Sequence, residues 1–310
     1  MSIAAFAIRR ALWAIPLLLL VMLGAFAVLR GAGGDPFELP EGYALLPPPL
    51  QEELRDHYNL DEPWFVEFAT YVRNAATLDF GPSLSNRYRS VDDVVRHSLP
   101  VTAQLVVLAT LIAIPFGVAL GLLGALRRRS AIDTASTAVA SFMLVVPVFF
   151  VAWLLARYPG VRWHWFPLGW DSWAARIVPV LTLALAPTGY IARLVRATVV
   201  ETLGEDHVRT ARAKGLRQPR IVLVHVFRNS LVPVLSAAVP MLALLITGAF
   251  FVEAYFGIPG ASGAFAEAAR TRDFPLLLGL TVALAAIVIA VNLVADIVIA
   301  IVDPRVRERL

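Results

Sequence analysis

The 310-residue sequence contains no cysteine, a single lysine and few charged residues of either sign. Without cysteine the chain can form neither disulfides nor thiolate metal sites. Charged residues make up only 16% of the sequence, whereas hydrophobic residues make up 58%. A soluble protein of this length could not bury so much apolar surface. The composition therefore predicts a membrane protein. No two of its five histidines have the spacing of metal ligands: His57, His97, His164, His207 and His225.

Motifs for chemistry are also missing. There is no Gly-x4-Gly-Lys-Ser/Thr loop, so the chain cannot bind ATP in the usual way. No serine–histidine, paired-aspartate or histidine–metal arrangement lies at membrane depth, which excludes an intramembrane enzyme. The apolar segments are nearly free of charge, with Asp296 as the main exception. A self-contained secondary transporter or channel for a small solute would use such a residue. That class remains the alternative, although Asn292 lies one helical turn from Asp296, and hydrogen bonding of this pair to a neighbouring helix is the plainer account.

What the sequence does contain is a series of apolar blocks of about twenty residues, the length that crosses a bilayer. The first block, Ala11–Leu29, follows Arg9 and Arg10 and is longer than the core of a signal peptide, which predicts an uncleaved helix. A signal peptide is the alternative, because Gly31-Ala32-Gly33 supplies small residues for cleavage. The blocks together predict an all-α fold with six transmembrane helices. The five further blocks are 101–126, 134–156, 177–197, 231–252 and 276–301.

Residues 31–97 form a polar segment between the first two blocks. They hold 12 of the 23 acidic residues and no stretch that can cross a bilayer. The segment is therefore predicted to be a large extracytoplasmic loop. Its acidic residues could serve only to keep the loop soluble, or the loop could contact another protein or cover the outer ends of the membrane helices.

The distribution of arginine and lysine predicts the orientation. With both termini in the cytoplasm, sixteen basic residues lie on inner segments and five on the two short outer loops. Positive charge is retained inside, so this orientation in the cell (cytoplasmic) membrane is favoured. An aromatic cluster between the third and fourth blocks predicts a membrane interface, with a carbohydrate-binding patch as the alternative. Its members are Trp163, Trp165, Phe166, Trp170 and Trp173.

The inner segment 201–229 is long for a plain connector. It predicts two short helices, one capped by Asp206 and ended by Gly215, the other beginning near Pro219. Ala211 and Gly215 place small residues on one face, where a partner's backbone could approach. The surrounding bases could pair with a partner's carboxylates, or serve only topology and anionic lipid. The candidate coupling residues are Asp206, Arg209, Thr210, Ala211, Arg212, Ala213, Lys214 and Gly215.

Two stretches carry a family resemblance: Thr210-Ala-Arg-Ala-Lys-Gly215, and Phe227-Arg-Asn-Ser-Leu-Val-Pro233. They resemble the "EAA" loop of binding-protein-dependent ABC importer permeases, in particular the B-type membrane subunit of the dipeptide/oligopeptide/nickel group. The motif's glycine falls on Gly215 and its second alanine on Ala211. Its glutamate falls on Arg209, so the signature acid is absent. Further matching stretches are 34–36, 79–83, 253–260, 273–275, 292–296 and 303–305.

The resemblance implies a fold like that of type I ABC importer permeases, and a function. Such a subunit forms the membrane pathway for di- or oligopeptides entering the cytoplasm, and its coupling helix lies in a cleft of an ATP-binding subunit. The implied partners are a second homologous permease subunit (a paralogue), two ATP-binding subunits, an extracytoplasmic solute-binding protein and the lipid bilayer, without nucleic acid. The chain itself would hold no cofactor or metal and would not be an enzyme, because ATP and Mg are bound by the partner subunits.

The predicted organisation has four parts. The N-terminal cytoplasmic end and the first helix occupy residues 1–30, and the extracytoplasmic segment occupies 31–97. The permease core occupies 98–302 and includes the cytoplasmic coupling loop 201–229. Residues 303–310 form a cytoplasmic tail.

Overall fold

The computed structural model describes residues 3–31, 33, 37, 47–84, 90–217, 220–221, 241 and 245–302. These residues form helices joined by turns, with one isolated bridge between Pro82 and Ser90 and no named strand among them. The chain divides into two compact units. The first unit comprises Met1–Phe6, Ala103–Ile258 and Val291–Leu310, and the second comprises Ala7–Thr102 and Pro259–Ala290.

Among the described residues, four helices are long and apolar enough to cross a membrane: α1 (Ile3–Gly31), α4 (Val91–Leu126), α7 (Trp173–Thr202) and α11 (Phe274–Val302). Two further pairs of shorter helices meet the same criterion when each pair is counted as one span, which brings the number to six. The predicted all-α, polytopic fold is therefore confirmed. The helix bounds differ from the predicted blocks, since α4 begins at Val91 rather than at 101.

The third predicted span is not one straight helix. It consists of α5 (Ala131–Val145) and α6 (Val148–Leu155), and α6 runs on into a π-helical turn, Ala156–Arg162. Pro147 lies at the break, where the axis bends by 100°. Proline has no N–H to donate and its ring clashes with the preceding turn, so the helix breaks at this point.

In the first unit, α7 packs tightly against both α4 and α5. A Cβ added at Gly189 of α7 would collide with the carbonyl oxygen of Ala140 in α5. A Cβ added at Gly121 of α4 would lie 2.5 Å from the carbonyl oxygen of Ala192 in α7. Small residues at such positions let membrane helices approach closely and gain van der Waals contact. α7 is the most buried of the four long spans, because 61% of the residues in its 18-residue apolar stretch are buried inside the protein.

The second unit contains α2 (Pro48–Tyr58), α3 (Trp64–Thr77) and α10 (Ala261–Arg270) as well as most of α1 and parts of α4 and α11. The Tyr58 hydroxyl lies 3.0 Å from the carbonyl oxygen of Phe80 and 2.7 Å from that of Pro82. Ser83 donates to Asp273, whose other carboxylate oxygen accepts from the backbone N–H of Leu276 at 3.2 Å. These bonds fix the 79–83 stretch to the start of α11.

Candidate functional site

The predicted coupling segment begins where α7 ends. After Thr202 a short turn leads into α8, Asp206–Ala213. The prediction that Asp206 caps this helix is wrong, because the N-cap is Glu205 and no side chain makes a capping hydrogen bond. Asp206 is the first helical residue, where its negative charge still suits the positive end of the helix dipole. Its 3.4 Å ion pair with Arg209 is exposed and contributes little to stability.

Gly215 ends α8, as predicted. Its φ of +74° lies in the left-handed region that glycine adopts without strain. The Gly215 N–H donates to the carbonyl oxygen of Arg212 at 2.9 Å, and the Leu216 N–H donates to that of Ala211 at 3.3 Å. This pair of bonds is a Schellman motif, which satisfies carbonyls at the end of a helix. The requirement for glycine here is therefore conformational.

α8 has a buried face and an exposed face. Val208 is 0% exposed and Ala211 is 4% exposed. The interpretation of Ala211 as a small residue open to a partner is therefore wrong, because its own chain covers it. A Cβ at Gly215 would meet no atom within 4 Å. The exposed candidates are Asp206, Arg209, Thr210, Arg212, Ala213, Lys214 and Gly215.

The assignment of these eight residues to coupling stays a prediction. The second predicted helix, which begins near Pro219, falls largely outside the described residues. Residues 34–36, 227–233 and 303–305 of the matching stretches also lie outside them, as does Pro240 in the fifth predicted span.

An ion pair that the sequence analysis missed ties α7 to α5. Arg196 donates from Nε to Asp133 Oδ1 at 2.6 Å and from Nη2 to Oδ2 at 2.9 Å. Asp133 also accepts from the backbone N–H of Arg129 at 2.9 Å, and its own N–H donates to the Ser130 hydroxyl that caps α5. Asp133 is buried and the Arg196 side chain is two-thirds buried. Two parallel hydrogen bonds of this kind stabilise the pair and also define the orientation of the two side chains.

The sequence offered only part of this pair. The spacing from Ser130 to Asp133 is that of a helix N-terminal cap. Arg196 is one of the basic residues counted on an inner segment in the prediction of orientation, whereas α7 continues to Thr202 and carries Arg196 inside the helix. Nothing local to either residue identifies its partner 63 positions away.

The first unit also contains an apolar cavity of about 350 Å³. Among the described lining residues, Thr182 and Tyr190 are the only ones with a hydroxyl, and the Thr182 hydroxyl donates to the carbonyl oxygen of Val178 at 2.8 Å. Such a lining can surround apolar groups but offers little to bind an ion. The lining comes from α5, α6, α7 and α9 (Leu245–Phe256): Met143, Leu144, Val146, Val148, Val151, Thr182, Leu183, Leu185, Ala186, Pro187, Tyr190, Leu245 and Gly248, with Met241.

α7 connects the cavity wall, the Arg196–Asp133 ion pair and the turn that leads into α8. Tyr190 in the cavity wall precedes Arg196 by six residues, or about 9 Å of helix rise. Arg196 in turn precedes the last residue of α7 by six, and α8 begins after a short turn. The cavity wall, the ion pair and the turn that leads into α8 therefore follow one another along a single, tightly packed helix.

Within the part of the chain that the structure describes, no group of three or more His, Cys, Asp or Glu side chains could hold a metal ion. Asp296, the ionisable residue noted within the last span, lies half-buried in α11.

Comparison with known proteins decides the family. Residues 113–308 match the model of the family described as "Binding-protein-dependent transport system inner membrane component". The chain belongs to this family. The permease is 36% identical to the oligopeptide transport system permease protein OppB of Escherichia coli (strain K12), over 97% of this chain and 99% of that protein. It is 34% identical to the dipeptide transport system permease protein DppB of Bacillus subtilis (strain 168), over 95% and 96% of the two chains.

A solved structure supports the fold of the permease. The chain is similar to one in the inward-facing MetNI methionine ABC transporter, with a TM-score of 0.51 and 19% sequence identity. The similarity covers 67% of the permease and 94% of the MetNI chain. The permease therefore has the fold of an ABC importer membrane subunit, as the resemblance implied, and it is a multi-pass membrane protein.

Proposed function

We propose that the permease forms part of the translocation pathway of an ATP-driven importer that moves di- or oligopeptides into the cytoplasm. The observation that carries the proposal is similarity over nearly the whole chain to permeases named for oligopeptide and dipeptide transport. The apolar cavity beside α7 fits a pathway that does not bind its solute tightly, because it supplies few hydrogen-bonding groups. Solute selection then falls to a separate binding protein on the outer side.

The energy comes from two separate ATP-binding subunits, which hold the ATP and Mg. α8 is the segment that contacts them, because its buried face anchors it to the permease while its other face stays exposed. That exposed face carries Arg209, Arg212 and Lys214, which can make charge-assisted hydrogen bonds to carboxylates of a partner. Closure of the ATPases moves α8, and α7 transmits the movement to the cavity.

The remaining parts of the assembly follow from the same reasoning. A second permease subunit, a paralogue of this chain, supplies the other half of the pathway. Both termini lie in the cytoplasm, because the basic residues concentrate on the segments that this orientation places inside.

Gentle purification of the tagged permease from its host, followed by identification of the proteins that accompany it, tests this proposal. We expect subunits with ATP-binding loops and a second permease. Gly215→Leu is expected to lose the ATP-binding subunits and to retain the second permease. Arg193→Ala, a change of an exposed residue on α7, serves as the control and is expected to retain both. Recovery of the permease alone, under conditions that preserve other membrane complexes, would contradict the proposal.

A further inference from the structure

The side of α3 that is turned away from its own chain carries an apolar stripe, with one exposed charged residue, Arg73, at its edge. Phe65, Ala69, Val72 and Ala76 follow one another at intervals of four, three and four residues, which places them on one side of the helix. Phe65 is 58% exposed, and Trp64 beside it is 53% exposed. A helix in the loop between two spans is expected to present polar side chains to water, so this stripe requires an explanation.

The neighbouring helix α2 shows what a water-facing helix looks like in the same unit. Its buried side carries Leu54 and Tyr58. Its exposed side carries Glu52, Glu53 and Asp56. α2 and α3 thus differ in the chemistry of their exposed faces, although both belong to the segment between the first two long spans.

Contacts with α1 and α11 fix the position of α3 along the length of these two spans in the second unit. The ring of Phe68 lies 5.4 Å from that of Phe26, and Glu67 forms an ion pair with Arg30, so α3 packs on the final turns of α1. The Tyr71 hydroxyl donates to the carbonyl oxygen of Leu278 at 3.1 Å, near the beginning of α11. These are the ends of membrane-spanning helices, where the hydrocarbon core gives way to the headgroups.

The two sides of α3 differ in their surroundings. Glu67 faces α1, where burial against its own chain raises the pKa of Glu67 and the nearby Arg30 guanidinium opposes that rise only in part. On the other side of the helix, Phe65, Ala69 and Ala76 are exposed.

We propose that α3 is an interfacial helix, with its Phe65–Ala76 stripe seated in the lipid surface at one end of the spans. The exposed apolar surface of α1 reaches the level of α3, since Val28, two residues from both Phe26 and Arg30, is exposed on the other side of α1. Trp64 and Phe65 lie at the N-terminal end of α3, and aromatic rings of this kind prefer the headgroup level. The helix thereby anchors the 79–83 stretch at the membrane surface.

The absence of cysteine from the chain allows a direct test. Single-cysteine variants Ala69→Cys and Ala76→Cys of the full-length permease carry a nitroxide label after reconstitution into vesicles of phosphatidylethanolamine and phosphatidylglycerol. Relaxation by oxygen, which partitions into lipid, is compared with relaxation by a water-soluble nickel chelate. Glu53→Cys on the exposed side of α2 is the water-facing control. Leu20→Cys on the exposed side of α1 is the lipid-facing control.

The proposal predicts an oxygen-to-nickel ratio at positions 69 and 76 that is shifted from the Glu53 value towards the Leu20 value. A ratio equal to that at Glu53 would overturn it, because the stripe would then face water. Exclusion of both reagents would also overturn it, because protein rather than lipid would then cover the stripe. None of these readings depends on transport activity, so the result is independent of the proposed peptide substrate.

Discussion

The guanidinium of Arg196 and the carboxylate of Asp133 form a two-pronged ion pair between α7 and the first turn of α5, with N–O distances of 2.6 and 2.9 Å. Both helices also contribute to the wall of the apolar cavity. The pair lies between that wall and α8 on α7. It therefore holds two helices of the cavity wall in a fixed register, close to the turn that leads into α8.

Removal of one member of this pair is expected to destabilise the permease. Arg196→Ala leaves the carboxylate of Asp133 without its charged partner, and hydrogen bonds to charged groups contribute more to stability than those between neutral groups. The expected fall in the unfolding temperature is moderated because Arg196 is about one-third exposed. Thermal unfolding of the purified permease in detergent measures the change. Arg193→Ala on the same helix is exposed and is expected to unfold as the wild type does.

A double-mutant cycle separates the interaction energy of the Arg196–Asp133 pair from the other effects of the substitutions. The double variant Asp133→Ala/Arg196→Ala is expected to lose less stability than the sum of the single variants, because the second change removes the unpaired charge left by the first. Strictly additive losses would show that the two side chains do not interact.

Substitutions at Gly215 are expected to rank by their tolerance of a positive φ. Asparagine visits the left-handed region more readily than other residues with a side chain, so Gly215→Asn is expected to retain most transport. Gly215→Ala pays a conformational cost of about 1–2 kcal/mol. Gly215→Leu has the same backbone cost and adds bulk on an exposed surface. ATP-dependent uptake at equal amounts of permease in the membrane measures all three variants.

The comparison of Gly215→Ala with Gly215→Leu identifies the cause of any loss of uptake. Equal loss in Gly215→Ala and Gly215→Leu would assign the whole effect to the Schellman motif. A larger loss in Gly215→Leu is our expectation, because a partner subunit is proposed to approach this position. Full activity in Gly215→Leu would contradict the coupling assignment.

Two alanines on α8 are expected to respond differently to the same substitution. Ala211 is buried, so Ala211→Leu overpacks the site and destabilises the permease by about 1–3 kcal/mol. Ala213 is exposed, so Ala213→Leu is expected to leave thermal stability unchanged. Unfolding temperatures of the isolated permease test this difference. Similar losses from both substitutions would mean that α8 does not pack as the structure shows.

The buried Tyr58 makes the stability of the second unit dependent on alkaline pH. Burial raises the pKa of its hydroxyl, and the carboxylates of Asp273, Asp92 and Asp79 raise it further. Because the folded pKa exceeds the unfolded value of about 10, the tyrosine's contribution is complete below pH 10 and declines as the pH rises above it. Tyr58→Phe is expected to flatten this alkaline decline, measured by chemical unfolding between neutral pH and pH 11. An unchanged slope would show that the hydroxyl is not buried.

Local signals in the sequence predicted part of the site. Gly215 was identified as the end of α8 because glycine after a short basic helix is a helix stop in itself. The burial of Ala211 was missed, since an eight-residue helix gives little periodicity from which to choose a face. The cavity lining could not be predicted either, because spans that are apolar all round do not mark the side that faces a pathway.

Features that depend on residues far apart in the sequence could not be predicted from local patterns either. The break at Pro147 and the uninterrupted course of α7 through Pro187 arise from the same residue type in different surroundings. The level of α3 depends on its contacts with Phe26 and Leu278, which lie in other parts of the chain. Composition and block length, by contrast, were sufficient for the all-α membrane fold, because the bilayer imposes a length on every span.

The most direct test of the central claim is uptake of a labelled tripeptide by proteoliposomes that contain the permease and its co-purified partners. We predict uptake that requires ATP together with the solute-binding protein, and that is lost in Gly215→Leu. Tripeptide uptake by the permease alone, driven by an ion gradient and unaffected by that substitution, would contradict the account.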